Sequence, residues 1–177
     1  MRSVAHLLRW ILLLVGFGSL AGPALAEDIP EYRLKAAFIY NFALFTDWPE
    51  TIGPTLLVCV VGRDPFGPEI DALQGKPVGA HNVAVQRRPG GDALQDCHVV
   101  FIAASAMPGL PRLLDGLRGR PVLTVADTPG AAAQGVVLNM ALSQGGGVTF
   151  EANAGAARAS GLALRSKLLR LATEIHR

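Results

Sequence analysis

The stretch AAFIYNFALF, Ala36 to Phe45, carries no charge, and Leu34, Phe38, Phe42 and Phe45 recur at the i, i+4, i+8 and i+11 spacing of one helix face. That spacing predicts a helix docked through these four residues. Ala36, Ile39, Ala43 and Leu44 fill much of the remaining circumference, and a helix apolar nearly all round is buried on more than one side. Trp48 precedes Pro49, which disfavours helical backbone and ends the segment. The run TLLVCVVG, Thr55 to Gly62, is short, continuous and β-branched, as in a central strand covered on both faces. A loop and short helix follow, with Phe66, Ile70 and Leu73 apolar, and HNVAVQRR alternates Val83 and Val85 with polar neighbours as a half-buried strand does. CHVVFIA, Cys97 to Ala103, reads as a second buried strand, PGLPRLLDGLRG as a helix and RPVLTVAD as a further strand.

The segment QGVVLNMALSQGGGVTFEAN predicts a hairpin with arms Val136 to Leu142 and Val148 to Ala152, turning at Gly145 to Gly147. Asn153 is placed to cap a helix that either ends at Gly161 or continues unbroken through it at a cost of about 1 kcal/mol. Beyond it Leu164, Leu168, Leu171 and Ile175 form one helical stripe, which predicts a C-terminal helix. Strands alternating with helices imply right-handed crossovers. The expected class is therefore α/β: a mainly parallel six-stranded sheet with a late antiparallel hairpin, flanked by about five helices.

Composition adds a leader. Arg2 and Arg9 precede the apolar run WILLLVGFGSL, and Ala24 to Ala26 have the small-x-small form cut by signal peptidase. Residues 1–26 are expected to be a signal peptide cleaved after Ala26, and residues 27–177 one exported domain with no membrane span. Removing two arginines leaves 14 basic and 14 acidic residues, a neutral balance that argues against nucleic acid as a partner. The charge is uneven, since Arg158 to Arg177 hold five basic residues and one acid. The terminal cations suit the end of a helix, and Arg165 among them is a candidate for holding an anion. Cys59 and Cys97 are the two cysteines present, and in an exported chain such a pair is expected to be a disulfide. They are not a CxxC pair. If their strands are neighbours, the bridge requires Cα atoms within about 7 Å.

No constellation for catalysis is apparent. His81, His98 and His176 each stand alone on their segments, without HExxH or another close pair for a metal. No GxSxG elbow or dinucleotide glycine pattern occurs, and the triple glycine lacks the Lys-Ser/Thr of a phosphate loop. No cofactor is expected. In open α/β sheets ligands bind beyond the carboxyl ends of the strands, where the topology switches. Arg63, Asp64, Ser105 and Asp127 occupy such ends and are the candidates for a small-ligand crevice.

Several motifs in fixed order carry a resemblance: EYRLKAAFIYNFALFTDWP, CVVGRDPFG, LQGKPV, CHVVFIA, VLTVAD, QGVVLNM and VTFEANAGAARASGLALRSKLLRLA. With them the chain resembles the YfiR-like family of exported proteins. The resemblance implies a periplasmic regulator without catalytic activity that represses a membrane diguanylate cyclase through the cyclase's periplasmic portion, and so controls cyclic-di-GMP signalling and biofilm formation. It further implies a homodimer, sequestration by an outer-membrane lipoprotein, and a Cys59–Cys97 bridge. Some relatives carry another cysteine pair near the late hairpin, which this chain lacks. The second face of the aromatic helix, Ile39, Tyr40 and Leu44, is expected to meet a partner, either another copy or the regulated protein. The competing reading is a periplasmic small-molecule-binding sensory module that feeds a kinase or transporter from the strand-end crevice.

Overall fold

The structure, a computed structural model, describes residues 31–90 and 94–177; the leader over residues 1–26 lies outside the described residues. The first element is helix α1, Glu31–Leu44, followed by strands β1, Thr46–Asp47, and β2, Thr55–Val61. Two 3-10 turns, Gly67–Glu69 and Asp71–Leu73, lead to β3, Pro77–Val78, and β4, His81–Arg88. Then come β5, Val99–Ile102, a 3-10 segment Ala104–Gly109, helix α2, Leu110–Gly116, and β6, Leu123–Ala126. The hairpin strands are β7, Leu138–Leu142, and β8, Val148–Asn153. The chain finishes with α3, Ala154–Ala159, β9, Ala163–Leu164, α4, Ser166–Leu169, and β10, Glu174–His176.

Among the described residues one sheet holds eight strands in the order β3-β4-β2-β5-β6-β7-β8-β10, and β1 pairs with β9 in a separate two-stranded ribbon. The five strands from β4 to β7 run parallel, whereas β7 and β8 form the antiparallel hairpin and β3 is antiparallel to β4. The fold is thus mixed α/β, and the expected six strands become eight because two short edge strands, β3 and β10, extend the sheet. Neither is long enough to show the period of two from which a strand is read.

Each face of the sheet has its own apolar layer. Val58, Val60, Phe101, Val125 and Met140 face the layer of α1 with Phe66, Ile70 and Leu73. Cys59, Val61, Val100, Ile102 and Cys97 face the layer of α2, with Leu110 and Leu117. β2 is buried on both sides, as its unbroken apolar run implied.

Helix α1 is rotated from the expected setting. Its inward residues are Lys35, Ala36, Ile39, Phe42 and Ala43, while Leu34, Phe38 and Phe45 are half-buried at its flanks. A lysine at the centre of the buried face displaces the aromatic stripe, because Lys35 reaches an acid beneath the helix. Phe42 still stacks edge-to-face on Phe150, with ring centroids 5.0 Å apart.

The expected C-terminal helix is also corrected. Helical hydrogen bonds give way after α4 to tighter turns that end at Ala172, and the chain then runs so that the Thr173 backbone N–H donates to the Phe150 carbonyl at 2.8 Å and β10 pairs in parallel with β8. Leu168 is buried, but Leu171 is 67 % and Ile175 41 % exposed. A longer helix would leave the β8 edge without partners, and the ladder formed there outweighs the helical propensity of a leucine-rich segment. The hairpin and the Asn153 cap are as expected: Asn153 Oδ1 accepts the Ala156 N–H at 2.8 Å, and Gly161 has φ +69°.

Candidate functional site

From β2 the chain passes to β4 on one side, and from β5 to β6 on the other. The loops beyond β2 and β5 therefore diverge and open a crevice at the carboxyl ends of the parallel strands. A cleft of about 980 Å³ lies there, lined by Gly62, Arg63, Ser105, Arg112 and Leu113 among others. Ser105 Oγ accepts the Arg63 backbone N–H at 2.8 Å, which joins the two loops. Among the described residues neither the Arg63 nor the Arg112 guanidinium makes an ion pair. Two such cations around a concavity suit an anionic small molecule.

The close approach of these loops depends on Gly62. Its φ is +90°, and a Cβ there would lie 2.6 Å from Ser105 Oγ. Gly75, with φ +76°, has open space where a Cβ would go. Gly62→Ala is expected to cost about 1–3 kcal/mol, and more than Gly75→Ala, in urea unfolding at equilibrium. Equal losses at both positions would show that only the backbone dihedral matters.

The other crevice candidates are engaged elsewhere. Asp64 Oδ1 accepts the Phe66 N–H at 2.7 Å and Oδ2 accepts Arg87 Nε at 2.7 Å. Arg87 also bonds the Asp71 carboxylate and the Gly67 carbonyl, so one guanidinium ties the loop after β2 to β4. Those bonds from Asp71 and Asp64 hold Arg87 above its ordinary range, and Arg87 in turn lowers Asp71. Asp127 follows β6 but faces α1, away from the cleft. Its Oδ2 accepts Lys35 Nζ at 2.7 Å and the Tyr32 hydroxyl at 3.2 Å, and Lys35 also pairs with Glu31. Burial opposes the charge of Lys35, yet the hydrogen bonds to Asp127 and Glu31 outweigh it and raise its pKa. Arg165 does not line the cleft: its Nε donates to Asp47 Oδ1 at 2.7 Å and its backbone N–H to the Phe45 carbonyl, fastening β9 to β1.

The partner face is revised in the same way. Ile39 is fully buried within the chain's own core and is removed as a contact residue. Tyr40 is half-buried; its hydroxyl donates to the Pro77 carbonyl at 2.7 Å and Lys76 Nζ lies 5.2 Å from its ring centroid. The β3 segment therefore covers part of the surface assigned to a partner, leaving Leu44 half-buried beside it.

Cys59 and Cys97 form a disulfide with Cα atoms 5.9 Å apart. Cys59 lies mid-strand in register with Val100, and Cys97 precedes β5, so the bridge links β2 to the approach to its neighbour beneath α2. His98, next to it, accepts the Leu57 backbone N–H on Nδ1 at 3.0 Å. Burial, followed by the nearby His81, lowers the His98 pKa, with Asp96 opposing weakly. A depressed folded pKa contributes stability that is complete above the unfolded value, about 6.5, and is lost as pH falls through the folded one. Unfolding free energy is therefore expected to fall from pH 7 to pH 5, less steeply in His98→Gln; an unchanged slope in that variant would assign the loss to other groups.

Sequence reading placed His176 alone. The structure sets it against Glu151, on a strand 25 residues away, a contact created by β10 pairing that no local spacing signals. No helix among the described residues is long and apolar enough to cross a membrane. The family model described as YfiR/HmsC-like (DUF4154) matches residues 32–173, most of the chain, and the chain belongs to that family. No curated protein matches it.

Proposed function

We propose that the chain is a periplasmic, non-enzymatic regulator that represses a membrane diguanylate cyclase by binding the cyclase's periplasmic domain, and so lowers cyclic-di-GMP and restrains biofilm formation. Family membership over residues 32–173 carries this reading. The disulfide supports an oxidising compartment. A leader cleaved after Ala26, a single domain over residues 27–177, a homodimer and an outer-membrane lipoprotein as sequestering partner complete the proposal. Contact with the cyclase or a second copy runs through Tyr40 and Leu44. Deleting the gene is expected to raise cyclic-di-GMP and biofilm, and the chain is expected to co-purify with the cyclase's periplasmic domain. Leu44→Asp should weaken that association with the far-ultraviolet dichroism unchanged. An unaltered cyclic-di-GMP level on deletion overturns the reading.

The cleft favours a second reading, a sensory module that binds a small anion through Arg63, Ser105 and Arg112. Asp64, Asp127 and Arg165 belong to the surrounding scaffold in this version. A ligand-dependent rise in melting temperature that Arg63→Ala abolishes, without a cyclic-di-GMP phenotype, would favour it over the first.

A further inference from the structure

Pairing of β10 with β8 puts Glu174 directly opposite Glu151, and β8 pairing with β7 puts Glu151 opposite Asn139. Cross-strand partners project from the same side of a sheet, so three oxygen-bearing side chains form a row across three strands. His176, two residues beyond Glu174, projects from that side as well. Its Nε2 lies 3.2 Å from Glu151 Oε2, and one ligand atom from each of Glu151, Glu174 and His176 falls within 4.8 Å of the others.

Two features of the row lack an internal explanation. Like charges directly opposite each other destabilise a sheet, yet among the described residues neither carboxylate has a lysine or arginine within ion-pair distance, and His176 alone approaches both. Asn139 is 2 % exposed, and its Oδ1 is buried without a hydrogen-bond partner among the described residues. Buried polar atoms are normally satisfied, so an orphaned acceptor opposite the Glu151 carboxylate points to a positive species on that side of the sheet. A cation held between the two carboxylates would answer the first feature directly and would place positive charge on the face that Asn139 shares.

We propose that Glu151, Glu174 and His176 bind one divalent transition-metal ion of the zinc type, which fastens the C-terminal strand to β8. One imidazole nitrogen and two carboxylate oxygens are the donor set of a three-ligand site that leaves a fourth position to water. Bonds of about 2.0 Å in a tetrahedral site separate ligand atoms by about 3.3 Å, which the His176–Glu151 spacing already matches. Glu174 completes the set by a side-chain rotation, being 65 % exposed and unconstrained by other partners. An imidazole ligand and the small number of oxygens select against calcium, which takes six to eight oxygen ligands. The site is independent of the cyclase reading, and neither its presence nor its absence bears on that reading.

Tag-free protein stripped of metal and titrated with zinc by calorimetry tests this. One ion is expected to bind per chain, and zinc is expected to raise the melting temperature. His176→Gln and Glu151→Gln should each weaken binding at least tenfold and abolish the thermal shift, while His81→Ala changes neither. His176 and Glu151 sit on the outer strands of the sheet, and circular dichroism confirms that the variants remain folded; a variant that unfolds is replaced by Glu174→Gln, on the exposed edge. Absence of zinc binding, binding unaffected by His176→Gln, or calcium binding of equal strength would each overturn the proposal.

Discussion

Asp127→Ala is expected to lose about 3–5 kcal/mol of unfolding free energy, because it strands a buried ammonium. The Lys35 and Asp127 side chains are 5 % and 8 % exposed and meet at 2.7 Å beneath α1. Two ions removed from water are offset only while each has the other. Glu31, 38 % exposed, also pairs with Lys35, which keeps the loss in Asp127→Ala toward the lower end. Lys35→Met leaves the carboxylate with the Tyr32 hydroxyl and is expected to lose at least as much. The double variant Lys35→Met/Asp127→Leu, which removes both charges and retains volume, should recover most of the loss. The raised Lys35 pKa contributes stability present below the unfolded value of about 10.4 and lost as pH rises through the folded one, so these differences should hold from pH 6 to pH 9. Equilibrium denaturation of the parent, Lys35→Met, Asp127→Leu and the double variant gives the coupling directly. Single losses under about 1 kcal/mol, the scale of exposed pairs, would mean that water reaches the ions.

That pair also shows what the sequence could not reveal about the fold. Central strands were legible in it because β2 is apolar at almost every position, and the hairpin because glycines mark its turn. Helix α1 was legible as an element but not in its rotation. A lysine reads as solvated in any periodic pattern, and only the packing of α1 over the end of β6 supplies the acid that brings Lys35 inside. The C-terminal stripe failed for the opposite reason: Leu164, Leu168, Leu171 and Ile175 have helical spacing, but the open edge of β8 competes for the same backbone groups, and edges are invisible along one strand of sequence. For the candidate site, the strand-end rule named Arg63 and Ser105, and both line one cleft. It included Asp127 wrongly, since a residue at a strand end has two faces to choose from and the rule does not say which. Ile39 misled in a similar way: an apolar residue off the expected stripe was read as spare surface, when the stripe itself was turned.

The disulfide should dominate the response to redox conditions. Cys59 and Cys97 close a loop with a sequence separation of 38, for which the chain-entropy account gives about 4 kcal/mol at 25 °C. In a domain of this size that corresponds to a fall of roughly 10 °C in melting temperature. Both sulfurs are buried against Val100 and Leu110 in the α2 layer, so Cys59→Ala/Cys97→Ala leaves a small apolar defect and isolates the cross-link, whereas Cys59→Ser places a hydroxyl in a dry site and should lose more. The bridge joins β2 to the approach to β5, the two strands whose diverging loops form the cleft. Its loss is therefore expected to loosen Arg63 relative to Ser105 as well as lower the midpoint, and amide hydrogen exchange at Arg63, which donates to Ser105 Oγ, should accelerate more than at Met140 on the far side of the sheet. Scanning the unaltered protein with and without reductant checks the same quantity without mutation. Coincident midpoints there, or an alanine pair as stable as the parent, would show that the unfolded chain is already compact enough for the cross-link to restrict little.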